Sequence, residues 1–258
     1  MNVTFITHRG VVRTENQDAV CVSAAVRTGD MTSPEAFTVT EYPLTLAVID
    51  GMGGYEGGRL AARVLAETFS EAVSQKIFPN SFDPAADEDA LRRILTEASA
   101  RMRFEADAVP SLSAMGAAVA GIVLRERGVT AFNCGDCRAY RVSGGETERL
   151  TRDHSIVQAL FERGDIDEEG MRTHPRKNVM TSAVTAGEQE EPDIFVRGVS
   201  RIASDAFFIC SDGVWEALSG AELKTLLANS SPETAAALFR ALMASGCKDN
   251  VSFILAAR

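Results

Sequence analysis

Basic residues are scarce in this chain: 26 Lys and Arg stand against 36 Asp and Glu, giving a net charge of −10 and a pI near 4.9. Without a basic surplus there is little to neutralise a phosphate backbone, which disfavours a general nucleic-acid binder. Long apolar runs are also missing. Stretches such as 117–124 fall far short of the roughly 20 residues a membrane helix needs, so no membrane span is expected. The first residues, Met1-Asn2-Val3-Thr4-Phe5-Ile6-Thr7, alternate like a strand and lack the basic start and apolar core of a signal peptide, which points to the cytoplasm. Five cysteines, odd in number and irregular in spacing, argue against a disulfide framework and fit a reducing compartment. His8, His154 and His174 have no zinc-ligand spacing with each other or with the cysteines. Cys134-Gly135-Asp136-Cys137 has redox spacing, but a strand-like segment follows where a helix N-terminus would be needed to lower a thiol pKa. No linker, heptad array or repeat interrupts the 258 residues, and one domain over 1–258 is the simplest division.

What the chain does have is carboxylate at the ends of apolar runs. Leu44-Thr45-Leu46-Ala47-Val48-Ile49 stops at Asp50-Gly51, and Ala206-Phe207-Phe208-Ile209-Cys210-Ser211 stops at Asp212-Gly213. A third run, 129–134, ends at Gly135-Asp136, and Asp249-Asn250 immediately precedes the last run, 251–257. A lone Asp-Gly reads as a tight turn, since both residues favour turns. The repeated pattern argues instead for carboxylates delivered to one rim of a sheet, a hard oxygen-rich site suited to magnesium, manganese or calcium. Three such groups converging within about 4 Å would cost on the order of 4 kcal/mol per pair at an effective dielectric of about 20, and a divalent cation reverses that sign.

Helical periodicity predicts a long helix over 58–77 and another over 87–106 with Asp87 as its cap. Segments 116–124, 129–134 and 138–142 read as consecutive strands of an antiparallel meander. Further helices are expected over 155–163, 221–228 and 232–244, the last opened by Ser231, Pro232 and Glu233. Segments 27–42 and 79–87 look like loops. Hairpin strands separated by helix pairs predict an α+β protein with sheets covered by helices.

In order, Arg13-Thr14-Glu15-Asn16-Gln17-Asp18, Asp50-Gly51-Met52-Gly53-Gly54, Gly135-Asp136-Cys137-Arg138, Leu150-Thr151-Arg152-Asp153-His154-Ser155, Ser211-Asp212-Gly213 and Asp249-Asn250 resemble the metal-dependent type 2C protein serine/threonine phosphatases, in particular compact bacterial members. The resemblance spans nearly the whole chain. It implies an α-β-β-α sandwich of two central, mostly antiparallel sheets flanked by helix pairs. It also implies two manganese or magnesium ions with a weaker third, which together hydrolyse phosphoserine and phosphothreonine in proteins through an activated water without a phosphoenzyme. By resemblance Asp50 bridges the two metals, the Gly51 carbonyl ligates the second, and Asp212 and Asp249 complete the first. Asp136 with Asp212 holds the third, Asp18 orients metal-bound water, and Arg13 grips the substrate phosphate, as its planar fork of donors suits. Asn250 is expected to fix the turn that presents Asp249.

The departures are specific. Gln17 stands where many relatives place a glutamate ligand, and Met52 and Tyr55 stand where some carry a histidine that serves as general acid, leaving water or Tyr55 for that task. Ala117-Ala118 replaces a usual threonine pair at expected core positions. His154 is expected to be structural, and 153–178 is expected to be the flap where substrate choice resides. The implied partners are phosphorylated proteins opposed to a serine/threonine kinase, with the phosphatase acting as a monomer and touching neither nucleic acid nor membrane. The alternatives are a sporulation-type regulator phosphatase and a phosphoprotein-binding scaffold with little activity.

Overall fold

The computed structural model describes residues 1–187 and 191–257. In chain order it runs through strands β1 (Asn2–His8), β2 (Asp18–Val22), β3 (Ala25–Thr28), β4 (Glu35–Thr38) and β5 (Leu44–Met52), then helices α1 (Tyr55–Ser74) and α2 (Pro84–Ala108). Strands β6 (Gly116–Leu124), β7 (Gly128–Cys134), β8 (Arg138–Ser143) and β9 (Glu146–Arg149) follow, and then short helices α3 (Ile156–Glu162) and α4 (Glu168–Thr173). The last part comprises β10 (Val184–Thr185), β11 (Phe195–Ser200), β12 (Ala206–Cys210), α5 (Asp212–Ala217), α6 (Gly220–Leu227), α7 (Pro232–Ala244) and β13 (Val251–Ala257).

Two sheets result, ordered β4-β1-β13-β12-β8-β9 and β11-β7-β6-β5-β2-β3, with β10 added beside β6 and every pairing antiparallel. The period-2 alternation of strand side chains decides the layers. On β5, Leu44, Leu46 and Val48 face a core between the sheets, while Ala47 and Ile49 face a second core against α1 and α2. On β13, Ile254 and Ala256 join the inter-sheet core, and Phe253 and Leu255 join a third core with Leu223, Leu238 and Leu242 of α6 and α7. The expected α-β-β-α sandwich is therefore observed.

Three local expectations fail, each for a physical reason. The meander breaks after β7: β6 and β7 pair, but β8 belongs to the other sheet, on β12 and β9. Gly135, at φ +102°, turns the chain out of one layer and into the other, so Asp136 sits on a crossing between sheets rather than in a hairpin. Helix α2 starts earlier than periodicity indicated, because Asp83 accepts from the Ala86 N–H and Pro84 occupies the first helical position. Asp87 is not its cap; it is fully buried and accepts from both terminal guanidinium nitrogens of Arg125, at 2.6 and 2.8 Å, and from the Thr130 hydroxyl, at 2.5 Å. The loop-like 27–42 carries β4 and the end of β3, both exposed edge strands too short and polar for a clear pattern. Ser231 does cap α7, with Thr234 Oγ1 accepting from its backbone N–H. Among the described residues no helix is long and apolar enough to cross a membrane.

Candidate metal centre

Strand parity brings the first two carboxylates together. Asp18 opens β2 and Asp50 lies near the end of β5, and they are direct antiparallel partners. Both share parity with the inward-facing Val20, Val22, Leu46 and Val48, so both point into the space between the sheets where those sheets part. Asp212, first residue of α5, arrives from β12 on the facing sheet, and Asp249 from the residue pair before β13. Asp136 comes from the crossing. Asp50, Asp136, Asp212 and Asp249 line one cleft of about 410 Å³ with Arg13, Gln17 and Gly51. Asp18 lies just behind it, 2% exposed.

The electrostatics are those of too much negative charge in too little water. Burial first, then Asp18, Asp212 and Asp136, push the Asp50 carboxyl well above the usual carboxylate range. Burial, then Asp136, Glu216 and Asp249, do the same to Asp212. Asp18 is raised to about 7, mainly by burial, against the opposing hydroxyls of Ser252 and Ser211. Asp136 is raised to about 7 by burial and by Asp153, with Arg138 opposing. Asp18 Oδ1 and Asp212 Oδ1 are buried without a hydrogen-bond partner, a costly condition in a protein interior.

Each of these aspartates is held from behind. Asp18 Oδ2 accepts from Ser211 Oγ at 2.9 Å, linking the two sheets at the rim. Gly51 passes so close to α1 that a Cβ there would lie 2.0 Å from the Gly58 carbonyl oxygen. The turn bearing Asp136 is gripped on three sides. Trp215 Nε1 donates to the Asp136 carbonyl at 3.0 Å, Asn133 donates to the Gly135 carbonyl at 3.0 Å, and His154 Nδ1 accepts from the Gly135 N–H at 3.1 Å. The Arg138 guanidinium lies 3.7 Å over the Trp215 ring and forks onto buried Asp153. Asn250 ties the segment bearing Arg13 and Gln17 to the strand after Asp249: Oδ1 accepts from Gln17 N–H at 2.8 Å, and Nδ2 donates to the carbonyls of Arg9 and Glu15.

Arg13 reaches the cleft and forks onto Asp249, Nε to Oδ1 at 2.9 Å and Nη2 to Oδ2 at 2.6 Å. Asp249 is thereby drawn toward the guanidinium, and among the described residues no three Asp, Glu, His or Cys side chains are arranged around a single ion point. The donor set still fits a hard divalent cation. It is all oxygen, it crowds charge that a cation would relieve, and among the described residues it leaves two buried carboxylate oxygens unpartnered. Met52 lines the cleft, Ala118 forms part of its floor and Ala117 belongs to the core against α1 and α2, while the side chain of Tyr55 lies outside the described residues.

His154 is positioned as a clamp on Gly135, and His174 ends α4, where its Nδ1 accepts from Arg176 N–H. Cys134 and Cys137 are free and buried, and burial pushes the Cys134 thiol up to about 12, which removes a reactive pair. Trp215 and Glu216 around Asp212 escaped motif reading, and Ser211 belongs to a motif that gave it no role of its own. Ser211 carried a signal: its parity with Phe207 and Ile209 points it at the same inter-sheet rim.

A sheet-on-sheet sandwich with four aspartates lining a cleft at the ends of its strands suits metal-dependent hydrolysis. The chain belongs to the protein phosphatase 2C family, whose model matches residues 30–255. It is similar to the serine/threonine phosphatase stp of Listeria monocytogenes, 26% identical over 260 residues that cover 100% of this chain and 96% of the relative. Among solved structures, the serine/threonine phosphatase Stp1 from Staphylococcus aureus superposes with a TM-score of 0.79 at 26% identity, covering 99% of this chain and 94% of that one. The Mycobacterium tuberculosis serine/threonine phosphatase PstP/Ppp does so with a TM-score of 0.76 at 25% identity, covering 100% and 99%.

Proposed function

We propose that this chain hydrolyses phosphoserine and phosphothreonine in proteins in a metal-dependent reaction. The observation that carries this reading is the convergence of Asp50, Asp136, Asp212 and Asp249 beside Arg13 at one end of a protein phosphatase 2C sandwich. Paired divalent ions, manganese or magnesium, supply when bound an acidified water and charge stabilisation for in-line attack on phosphorus.

The chain's own residues divide the remaining work. Asp50 lies centrally, repelled by the charges of Asp18, Asp212 and Asp136, which suits a carboxylate shared between ions, with the Gly51 carbonyl beside it. Asp212 and Asp249 would hold the first ion, and Asp136, near Asp212, would hold a third. Asp18 stays behind the cleft, bonded to Ser211, a position that suits orienting water more than holding metal. Arg13 already presents its fork to a carboxylate, and a phosphate oxygen pair makes the same demand on it. Five buried free thiols are in keeping with action in the cytoplasm, on phosphoproteins made by a serine/threonine kinase.

The test is phosphate release from a phosphothreonine peptide by manganese-loaded protein. We expect turnover that a chelator abolishes and that Asp212→Ala lowers by at least about 10²-fold, the scale on which groups handling transition-state charge act. Tight phosphopeptide binding without any turnover by the loaded wild type would sink this reading in favour of a scaffold.

A further inference from the structure

The net charge of −10 makes any basic surface on this protein conspicuous, and one lies directly beside the metal cleft. A groove of about 510 Å³ shares Arg13, Asn178 and Asp249 with that cleft and continues past Lys177, Lys248 and Arg172. Four cations line it against two carboxylates, Glu216 and Asp249, and with Glu169 paired to Arg172 at its edge the local excess is one positive charge. Both carboxylates are already engaged. Asp249 holds the Arg13 fork, and Glu216 pairs with Lys177 while its carbonyl accepts from Arg172 Nη1 at 2.9 Å. Arg172 is further satisfied by Glu169 at 2.6 Å. Lys248 is exposed, and no acidic partner within ion-pair distance is assigned to it among the described residues.

The elements that form the groove are rigidly tied. Glu216 belongs to α5, so the Lys177 and Arg172 contacts pin the flap segment and α4 to the helix that begins with Asp212. On the loop that carries Arg13, Val11 and Val12 stand 55% and 62% exposed, and the Val11 N–H donates to the Cys247 carbonyl beside Lys248. A ligand leaving Arg13 along this groove therefore meets cationic side chains, and exposed apolar ones stand on the neighbouring loop. That combination suits a peptide more than a small inorganic anion.

We propose that this groove, with Lys248 as its uncommitted charge, selects phosphoprotein substrates that carry a second anionic group near the scissile phosphoresidue. The inference rests on the phosphatase reading above. The shared ligand chemistry is a carboxylate or a second phosphate, and the two are separable by experiment. Lys248 is a specificity determinant and takes no part in the reaction at phosphorus.

The experiment compares phosphothreonine peptides that differ only in their neighbours: all alanine, one aspartate moved stepwise along either side, or one phosphoserine in its place. Wild type, Lys248→Ala, Lys248→Glu and Lys248→Arg are assayed with manganese at low salt, with p-nitrophenyl phosphate as a substrate too small to enter the groove. We expect wild type to favour an anionic neighbour about three- to ten-fold in kcat/KM, mostly through KM, as one to a few exposed ion pairs allow. That preference should fall toward one in Lys248→Ala, invert in Lys248→Glu, persist in Lys248→Arg and weaken with added salt. Turnover of p-nitrophenyl phosphate should stay unchanged throughout. Equal rates on all peptides by wild type, or equal losses on every substrate in the Lys248 variants, would overturn the groove proposal while leaving the phosphatase reading intact. Loss of the phosphatase reading would show instead as no wild-type turnover of any phosphopeptide. A preference for phosphoserine over aspartate neighbours would assign the groove to doubly phosphorylated substrates.

Discussion

Asp18 shows what a single buried carboxyl costs. Its ordinary pKa near 3.8 is raised to about 7, so between those values the unfolded chain has lost a proton that the folded chain keeps. Stability of the metal-free protein therefore falls as pH rises from about 4 to about 7, and the full penalty, on the order of a few kcal/mol, is present above that window. Asp136, also raised to about 7, adds to the same trend. We expect chelator-treated protein to lose thermal stability across this range, with manganese restoring most at the upper end. Asp18→Asn should raise the melting temperature of the metal-free form, shrink the manganese-induced shift and lower activity about 10- to 100-fold, the usual toll for disturbing a group that orients metal ligands. A metal-free melting temperature that did not change with pH would contradict the electrostatic account. Asp18 itself was legible because Asn16-Gln17-Asp18 matched a motif. Its pairing with Ser211 was not, because the two are 193 residues apart and only docking of the two sheets joins them.

At the scale of elements, the crossing from β7 to β8 matters most. Motif reading found Asp136, but pattern reading placed it in a hairpin, since a Gly-Asp turn between two short apolar runs carries no mark of which sheet the next strand will join. The answer lies in long-range partners: β8 pairs with β12, and Trp215, His154 and Asn133 surround the turn. Trp215→Phe keeps the ring beneath Arg138 and deletes one hydrogen bond to the Asp136 carbonyl. We expect a loss of about 1 kcal/mol in urea unfolding and a higher manganese concentration for half-maximal activity, with saturated turnover much less affected. The flap region illustrates a second limit of pattern reading. Helix α4 has only six residues and one buried side chain, too little periodicity to register, yet its Arg172 anchors it to α5.

For the whole molecule, the layered architecture was readable because each layer repeats one rule: alternating strands with an inward and an outward apolar face, and helices with one apolar stripe. Hidden from that rule was the Asp87, Arg125 and Thr130 cluster, where polar residues sit at apolar-looking positions and join α2 to the β6 and β7 hairpin. Asp87→Ala would leave a buried guanidinium without its counter-charge, at a cost of about 3–5 kcal/mol. Chemical denaturation should register that loss while manganese affinity and turnover at low temperature stay near wild type, because the cluster lies outside the cleft. The cleft itself draws Asp50 from one sheet, with its partner Asp18 just behind it, Asp212 and Asp249 from the residues flanking strands of the other, and Asp136 from the turn that crosses between them. Neither sheet owns the site. A cation held there would act as a rivet through a seam otherwise closed by apolar side chains, so metal occupancy and the docking of the two halves of the sandwich would reinforce each other.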